Sequence, residues 1–322
     1  MWLAADERRS TLMENKWLTR VYQRSSAAKN RSSFRRKLRP GAFLAILLVL
    51  GSGTGFSLWS SAGASFRFEI LGDRTGGAQP GVFERVLLEA ARDHPDFLLS
   101  VGDCIEGEND QTAAAEWRQF DQLLTPLGRL PLFLTPGNHD IWSPASERLW
   151  IARSGHPVHY GFDFRQAHFT ILDNSRAADS ASARFSDDEM RFLERDLAAH
   201  AGQDVKFVVS HRPTWLFAIL LGDSNNPFHQ LLRKYGVQYV LAGHIHQILH
   251  FELDHIAYLD VPSAGGHLRD TKAYERGWFF GHTLATVEGS QVRFRISELP
   301  APYGQGRSTT PEDWGASGLV RQ

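Results

Sequence analysis

Five short apolar runs, each followed at once by a carboxylate, an amide or an imidazole, constrain this chain more than anything in its composition. Phe66–Leu71 leads into Gly72-Asp73-Arg74-Thr75, and Phe97–Val101 into Gly102-Asp103-Cys104-Ile105-Glu106-Gly107. Leu130–Leu134 leads into Thr135-Pro136-Gly137-Asn138-His139-Asp140, Val205–Ser210 into His211, and Val237–Ala242 into Gly243-His244-Ile245-His246. Runs of this length and apolarity read as buried strands. Open α/β sheets bind their ligands just beyond the carboxyl ends of such strands. A single Asn-His-Asp is ordinary turn chemistry, but five polar motifs, each placed directly after a strand, describe a site.

Between the strands the pattern switches to helical spacing. A helix is expected from about Gly81 to Asp93, with Val82, Val86, Leu87 and Ala90 on one face and Pro95 ending it. Another starts near Thr112 and turns Trp117, Phe120, Leu123 and Leu124 inward, with Pro126 closing it. Ser186-Asp187-Asp188-Glu189 reads as a capping box opening a helix that buries Met190, Leu193 and Leu197. Tyr160–Phe164 and Ala167–Leu172 read as a tight hairpin, and further strands fall at Ile256–Val261 and within His282–Leu299. Residues 141–159 show no period and are read as irregular, with Trp142 and Trp150 either covering the site or packing. The alternation predicts an α/β fold with helices layered on largely parallel or mixed sheet.

The two ends differ from this middle. Residues 1–40 carry eleven Lys or Arg against three Asp or Glu, and no charge occurs between Arg39 and Arg67. A basic leader (1–40) before an apolar segment (41–60) is the pattern of a membrane anchor or signal peptide that leaves the amino terminus cytoplasmic and exports the remainder of the chain. Ala62-Gly63-Ala64 offers a small-residue cleavage site, so anchored and secreted forms both stay open. The exported part is acidic and offers no basic groove for a long polyanion, which argues against nucleic acid as a partner. Cys104 is the single cysteine, so no internal disulfide forms. Residues 66–299 read as the globular domain and 300–322, rich in Gly, Pro, Ser and Thr, as a loose tail.

Carboxylate and amide oxygens mixed with imidazoles suit Zn, Mn or Fe better than Ca or a thiolate-seeking metal. The order Gly-Asp, Gly-Asp-x-x-acid, Gly-Asn-His-Asp, His after a strand, and Gly-His-x-His, spread over about residues 66–298, resembles the calcineurin-like metallophosphoesterases. The resemblance implies a four-layer α/β/β/α sandwich, two metal ions bridged by an aspartate, and hydrolysis of a phosphoester or a phosphorylated small molecule. Carried over residue by residue, it makes Asp103 the bridge, with Asn138, His211 and His244 completing one metal site and Asp73 and His246 serving the other. His139 would be the acid that assists the leaving group, and Asp140 would hold its ring. Two ions roughly 3.5–4 Å apart would activate a bridging water and clamp an in-line displacement at phosphorus.

This chain departs from the family pattern at Thr75, where many members place a histidine. Purple acid phosphatases lack that histidine too and use a tyrosine three residues after the bridging aspartate. Glu106 holds that place here, either as a replacement ligand or as a brace for its loop. Arg74 is a candidate for the substrate phosphate or for a structural salt bridge. The opposing reading is a metal-fold protein whose impaired site serves binding or interaction rather than catalysis. Substrate, native metals and oligomeric state do not follow from the sequence.

Overall fold

The computed structural model describes residues 65–178, 184–269 and 274–314. The basic leader and the apolar segment lie outside the described residues, and among those described no helix is long and apolar enough to cross a membrane.

Twelve strands form two six-stranded sheets among the described residues. In the first, β1 (Phe66–Leu71), β2 (Phe97–Ser100) and β3 (Leu132–Leu134) run parallel, and β10 (Gly281–Glu288), β11 (Gln291–Glu298) and β12 (Ser308–Thr309) extend it antiparallel from β1. In the second, β5 (Ala167–Ile171), β6 (Val205–Val209), β7 (Tyr239–Ala242) and β9 (Ile256–Asp260) are parallel, edged by antiparallel β4 (Tyr160–Phe164) and β8 (Leu249–Leu253). Alternate phenylalanines lock the sheets face to face. Phe68 meets Phe169 and Phe207 edge-on at 5.2 and 5.4 Å, and Phe97 meets Phe169 at 5.6 Å. Such edge-to-face pairs add about 0.5–1.5 kcal/mol each to plain burial.

Helices cover the outer faces, which makes the predicted four-layer sandwich. Helix Val82–Arg92 buries Val82, Phe83, Val86, Leu87 and Ala90, while Asp187–Ala199 turns Leu193 and Leu197 into a core with Val208 and Val240. The capping box expected at Ser186 is half formed. Ser186 Oγ accepts from Glu189 N at 3.2 Å, but the Glu189 carboxylate turns instead to His159 Nδ1 at 2.6 Å and Asp173 N at 3.0 Å. Met190 is only partly buried.

Two expectations need correction. Residues 141–159 contain the helix Pro144–Ser154, which starts on a complete capping box: Ser143 Oγ accepts from Ser146 N at 3.1 Å and Ser146 Oγ from Ser143 N at 2.9 Å. Gly155 ends it at φ 73°. Trp150 is fully buried and therefore packs rather than covers the site. The stretch read as a loose tail is ordered as far as Trp314. Strand β12 pairs with β11, Arg307 forks onto Glu298 at 2.7 and 2.9 Å, and buried Trp314 packs against Phe279 and Tyr274 at 5.8 and 5.6 Å. A lone aromatic anchor leaves no periodic trace in sequence.

One buried charge far from the strand ends sets a pH dependence. His168, with no exposed surface, points Nδ1 at Asp163 and Nε2 at Asp196, each at 2.8 Å, and stacks on His200 at 3.8 Å. Two carboxylates facing both ring nitrogens call for the imidazolium, which donates twice. Burial opposes that charge, but Asp196 and Asp163 outweigh it and raise His168 above its ordinary 6.5. A raised histidine stabilises fully below its unfolded value and loses that contribution as pH rises through its folded value. Stability should therefore fall above about pH 6.5 by an increment that His168→Gln removes; identical slopes in denaturant titrations of both proteins would contradict this.

Candidate metal centre

The site lies where loops from both sheets meet. Asp73 follows β1, Asp103 follows β2, Asn138 and His139 follow β3, His211 follows β6, and His244 and His246 follow β7. The loops pack too closely for side chains at several of their glycines. A Cβ on Gly137 would lie 2.1 Å from Asp103 Oδ1, and one on Gly243 2.4 Å from Asp73 Oδ2. Asp103, His244 and His246 adopt left-handed backbone angles, φ 55°, 73° and 64°. Non-glycine residues in that region cost about 1–3 kcal/mol each and collect at functional sites.

Four donor atoms converge. His211 Nε2 lies 2.9 Å from Asn138 Oδ1, 3.2 Å from Asp103 Oδ2 and 3.2 Å from His244 Nδ1. The ligand atoms of Asp103, His211 and His244 all lie within 4.8 Å of one another. Beside them, the Asp73 carboxylate accepts from His244 N at 2.9 Å and stands 3.4 Å from His246 Nε2. His211 Nδ1 is 3.0 Å from the Val101 carbonyl and His246 Nδ1 is 2.7 Å from that of His267. Histidines that ligate metals typically donate the other ring N–H in this way, which orients the free lone pair.

The electrostatics ask for a cation. Burial disfavours charge on His211, yet Asp103 and then Asp73 push its pKa up to about 9. Burial likewise opposes ionisation of Asp103 and Asp73, but the surrounding imidazoles hold both below the usual carboxylate range. His244 goes the other way: burial, His211 and Arg212 keep it well below its ordinary value, so its ring is neutral. Buried carboxylates, an amide oxygen and imidazoles aimed at shared space fit divalent metal.

Asp140 does not hold the His139 ring. Its fully buried carboxylate accepts from the backbone N–H groups of Asp103 (2.9 Å), Cys104 (2.8 Å), Ile105 (3.3 Å) and Gly137 (3.0 Å). Burial and Asp103 push it up to about 7 against those bonds. The turn that brings Asp140 N to Gly137 O, at 3.1 Å, folds this side chain back under the Asp103 loop. The His139 ring instead places Nδ1 2.6 Å from the Glu106 carbonyl. A Cβ on Gly76 would sit 3.7 Å from His139 Nε2 and 3.1 Å from His246 Cε1, so that glycine leaves both rings room beside the first loop.

Glu106 is exposed, and its carboxylate accepts from Ala78 N at 2.7 Å and Gly77 N at 3.3 Å, the contacts of a brace between the first two loops. Thr75 is buried and donates Oγ1 to the carbonyls of Asp103 (2.8 Å) and Ile105 (2.5 Å). Arg74 donates to the Cys104 carbonyl at 2.8 Å and lies over the Phe83 ring at 5.8 Å, rather than forming the salt bridge considered from sequence. Sequence reasoning missed Arg212, whose Nη1 is 3.3 Å from His244 Nε2, and Asn174, which bonds both main-chain groups of Arg212 at 2.7 and 3.0 Å. Both stand at strand ends already marked, one directly after His211. It also missed Asp260, fully buried with neither oxygen hydrogen-bonded and held well above the carboxylate range by burial and Asp73.

Two facing mixed sheets with this donor set at their strand ends define a metallophosphoesterase architecture. The calcineurin-like phosphoesterase family model matches residues 75–248, and the chain belongs to that family. A 3′,5′-cyclic adenosine monophosphate phosphodiesterase (CpdA) of Vibrio vulnificus is 27% identical over 207 residues, 62% of this chain and 72% of that protein. Human tartrate-resistant acid phosphatase type 5 is 24% identical over 276 residues, 71% and 82% of the two chains. Among solved structures, purple acid phosphatase PPD1 of yellow lupin superposes with a TM-score of 0.54 at 16% identity, over 82% of this chain and 54% of that one. GAP50, the anchor in the inner membrane complex of Plasmodium, also gives 0.54, at 15% identity over 80% and 90%. Both structural likenesses establish fold.

The four bonds to Asp140 make its role separable from catalysis. Asp140→Ala leaves buried N–H groups without acceptors and should destabilise the metal-free protein by about 2–5 kcal/mol, measured by denaturant unfolding. Unchanged stability with only turnover lost would restore the ring-holding role.

Proposed function

We propose that this protein hydrolyses phosphate esters with a two-metal centre. The observation that carries the reading is the convergence of Asp103 Oδ2, Asn138 Oδ1 and His244 Nδ1 on His211 Nε2, with Asp73 and His246 alongside. Asp103, Asn138, His211 and His244 would hold one ion, and Asp73, Asp103 and His246 the other; Zn, Mn and Fe suit these donors. Divalent ions at such a site polarise phosphoryl oxygens and make water nucleophilic near neutral pH.

The rest of the chemistry belongs to side chains. Burial works against a charged His139, but Asp103, the Glu106 carbonyl and Glu108 raise it above its ordinary value. With Nδ1 given to the Glu106 carbonyl, Nε2–H is the group offered to a leaving oxygen. Asp140 fixes the Asp103 loop through main-chain amides, and Glu106 and Arg74 brace the loops around it. The relatives include both a cyclic-nucleotide phosphodiesterase and an acid phosphatase, so the test is a screen of the purified protein against mono-, di- and pyrophosphate esters under Zn, Mn, Mg and Fe. No turnover with any of them, together with a single bound ion, would favour the binding-module reading.

Asp103→Asn and His244→Ala should lose activity together with metal, and His139→Ala should lose about 10²–10⁴-fold in rate while retaining both ions. Glu106→Gln should keep the parent's metal content. Elemental analysis beside turnover separates these cases; full metal retention in Asp103→Asn and His244→Ala would sink the ligand assignment.

We further infer from the eleven-to-three charge bias of residues 1–40 and the uncharged stretch after it that the catalytic domain is exported and, unless cleaved, membrane-tethered. A compartment-sensitive reporter fused after Gln322 should be active only outside the cytoplasm. A purely cytoplasmic signal would refute that orientation.

A further inference from the structure

Arg212 brings a cation against the donor cluster, and neither the metal binding nor the proton transfer by His139 proposed above uses it. Its place is fixed by the fold. It follows His211 at the end of β6, its backbone is clamped on both sides by the Asn174 side chain, and it is 9% exposed. Its guanidinium Nη1 lies 3.3 Å from His244 Nε2.

His244 turns Nδ1 toward the cluster, 3.2 Å from His211 Nε2, and presents its other edge, Nε2, to Arg212. The guanidinium therefore stands beside a ring whose inner edge faces the donor atoms, and it is a planar five-donor fork of the kind that matches phosphate oxygens.

Resting on the phosphoesterase reading, we propose that Arg212 is the phosphate-binding side chain of the site, its guanidinium beside His244 donating to a non-bridging oxygen of the substrate phosphate. Arg74, the candidate from the sequence, gives Nη1 to the Cys104 carbonyl. Asn174 is the positioning residue, since its amide holds both main-chain groups of Arg212.

The test uses metal-loaded parent, Arg212→Gln and Arg212→Lys, with inorganic phosphate as probe in calorimetry. Arg212→Gln should weaken phosphate binding by about 10- to 100-fold and raise KM for an ester, with metal content equal to the parent's. Arg212→Lys should recover part of the phosphate affinity but not the bidentate remainder. Phosphate affinity equal to the parent's in Arg212→Gln would overturn the proposal, as would an affinity loss that follows metal loss, because Arg212 would then only support His244. A parent that binds two ions but neither binds phosphate nor cleaves any ester would instead overturn the phosphoesterase reading itself.

Discussion

The arrangement of the strand-end loops depends on one electrostatic constraint: several lone pairs aimed at the same few cubic ångströms. Asn138, Asp103 and His244 crowd His211 Nε2 within 3.2 Å. Without positive charge that cluster would repel itself. Much of the surrounding structure keeps these atoms from relaxing apart. Asp140 gathers four amides, three of them on the loop carrying Asp103. Val101 and His267 carbonyls set the two ring orientations. The left-handed angles at Asp103, His244 and His246 are strain that such ties must outweigh.

The same constraint explains why the site needs both sheets. Asp73, Asp103 and Asn138 come from the first sheet and His211, His244 and His246 from the second, so the spacing between donor sets is the spacing between sheets. That spacing is set by interdigitated phenylalanine rings, which cannot slide without losing edge-to-face contacts. Packing in the core thus fixes geometry at the loops, and a shortened ring there would act on the site without touching it.

Legibility followed the strength of local patterning. The buried parallel strands and the polar residues after them could be read because short apolar runs and abrupt polarity changes are local features. The helix Pro144–Ser154 could not be read by period, since it buries Ser146 and Trp150 but no continuous apolar stripe. Its real signal was at the ends, a Ser-Pro start and a glycine stop. Strand β8 was hidden because its hairpin to β9 turns through Asp254 and His255, both at positive φ, where sequence reasoning looks for Asn-Gly. The ligand candidates were legible one by one, whereas the targets of Asp140, Glu106 and Arg74 were not. All three bond to main-chain groups of sequence-distant loops, which carry no residue identity to read.

Thr75 shows what such main-chain bonding does at a place where this chain departs from the pattern of many family members. Its hydroxyl ties the first loop to the carbonyls of Asp103 and Ile105, so the position supports the second loop instead of reaching for an ion. Glu106 commits its carboxylate to Gly77 and Ala78 and ties the same two loops from the other side. In the proposed two-metal centre the positions would then be unequal: four donors, two of them imidazoles, for one ion, and Asp73, His246 and the shared Asp103 for the other. Fewer imidazoles and a larger share of carboxylate would shift that second position toward harder metals, and on the proposed reading its smaller donor set would release its ion first.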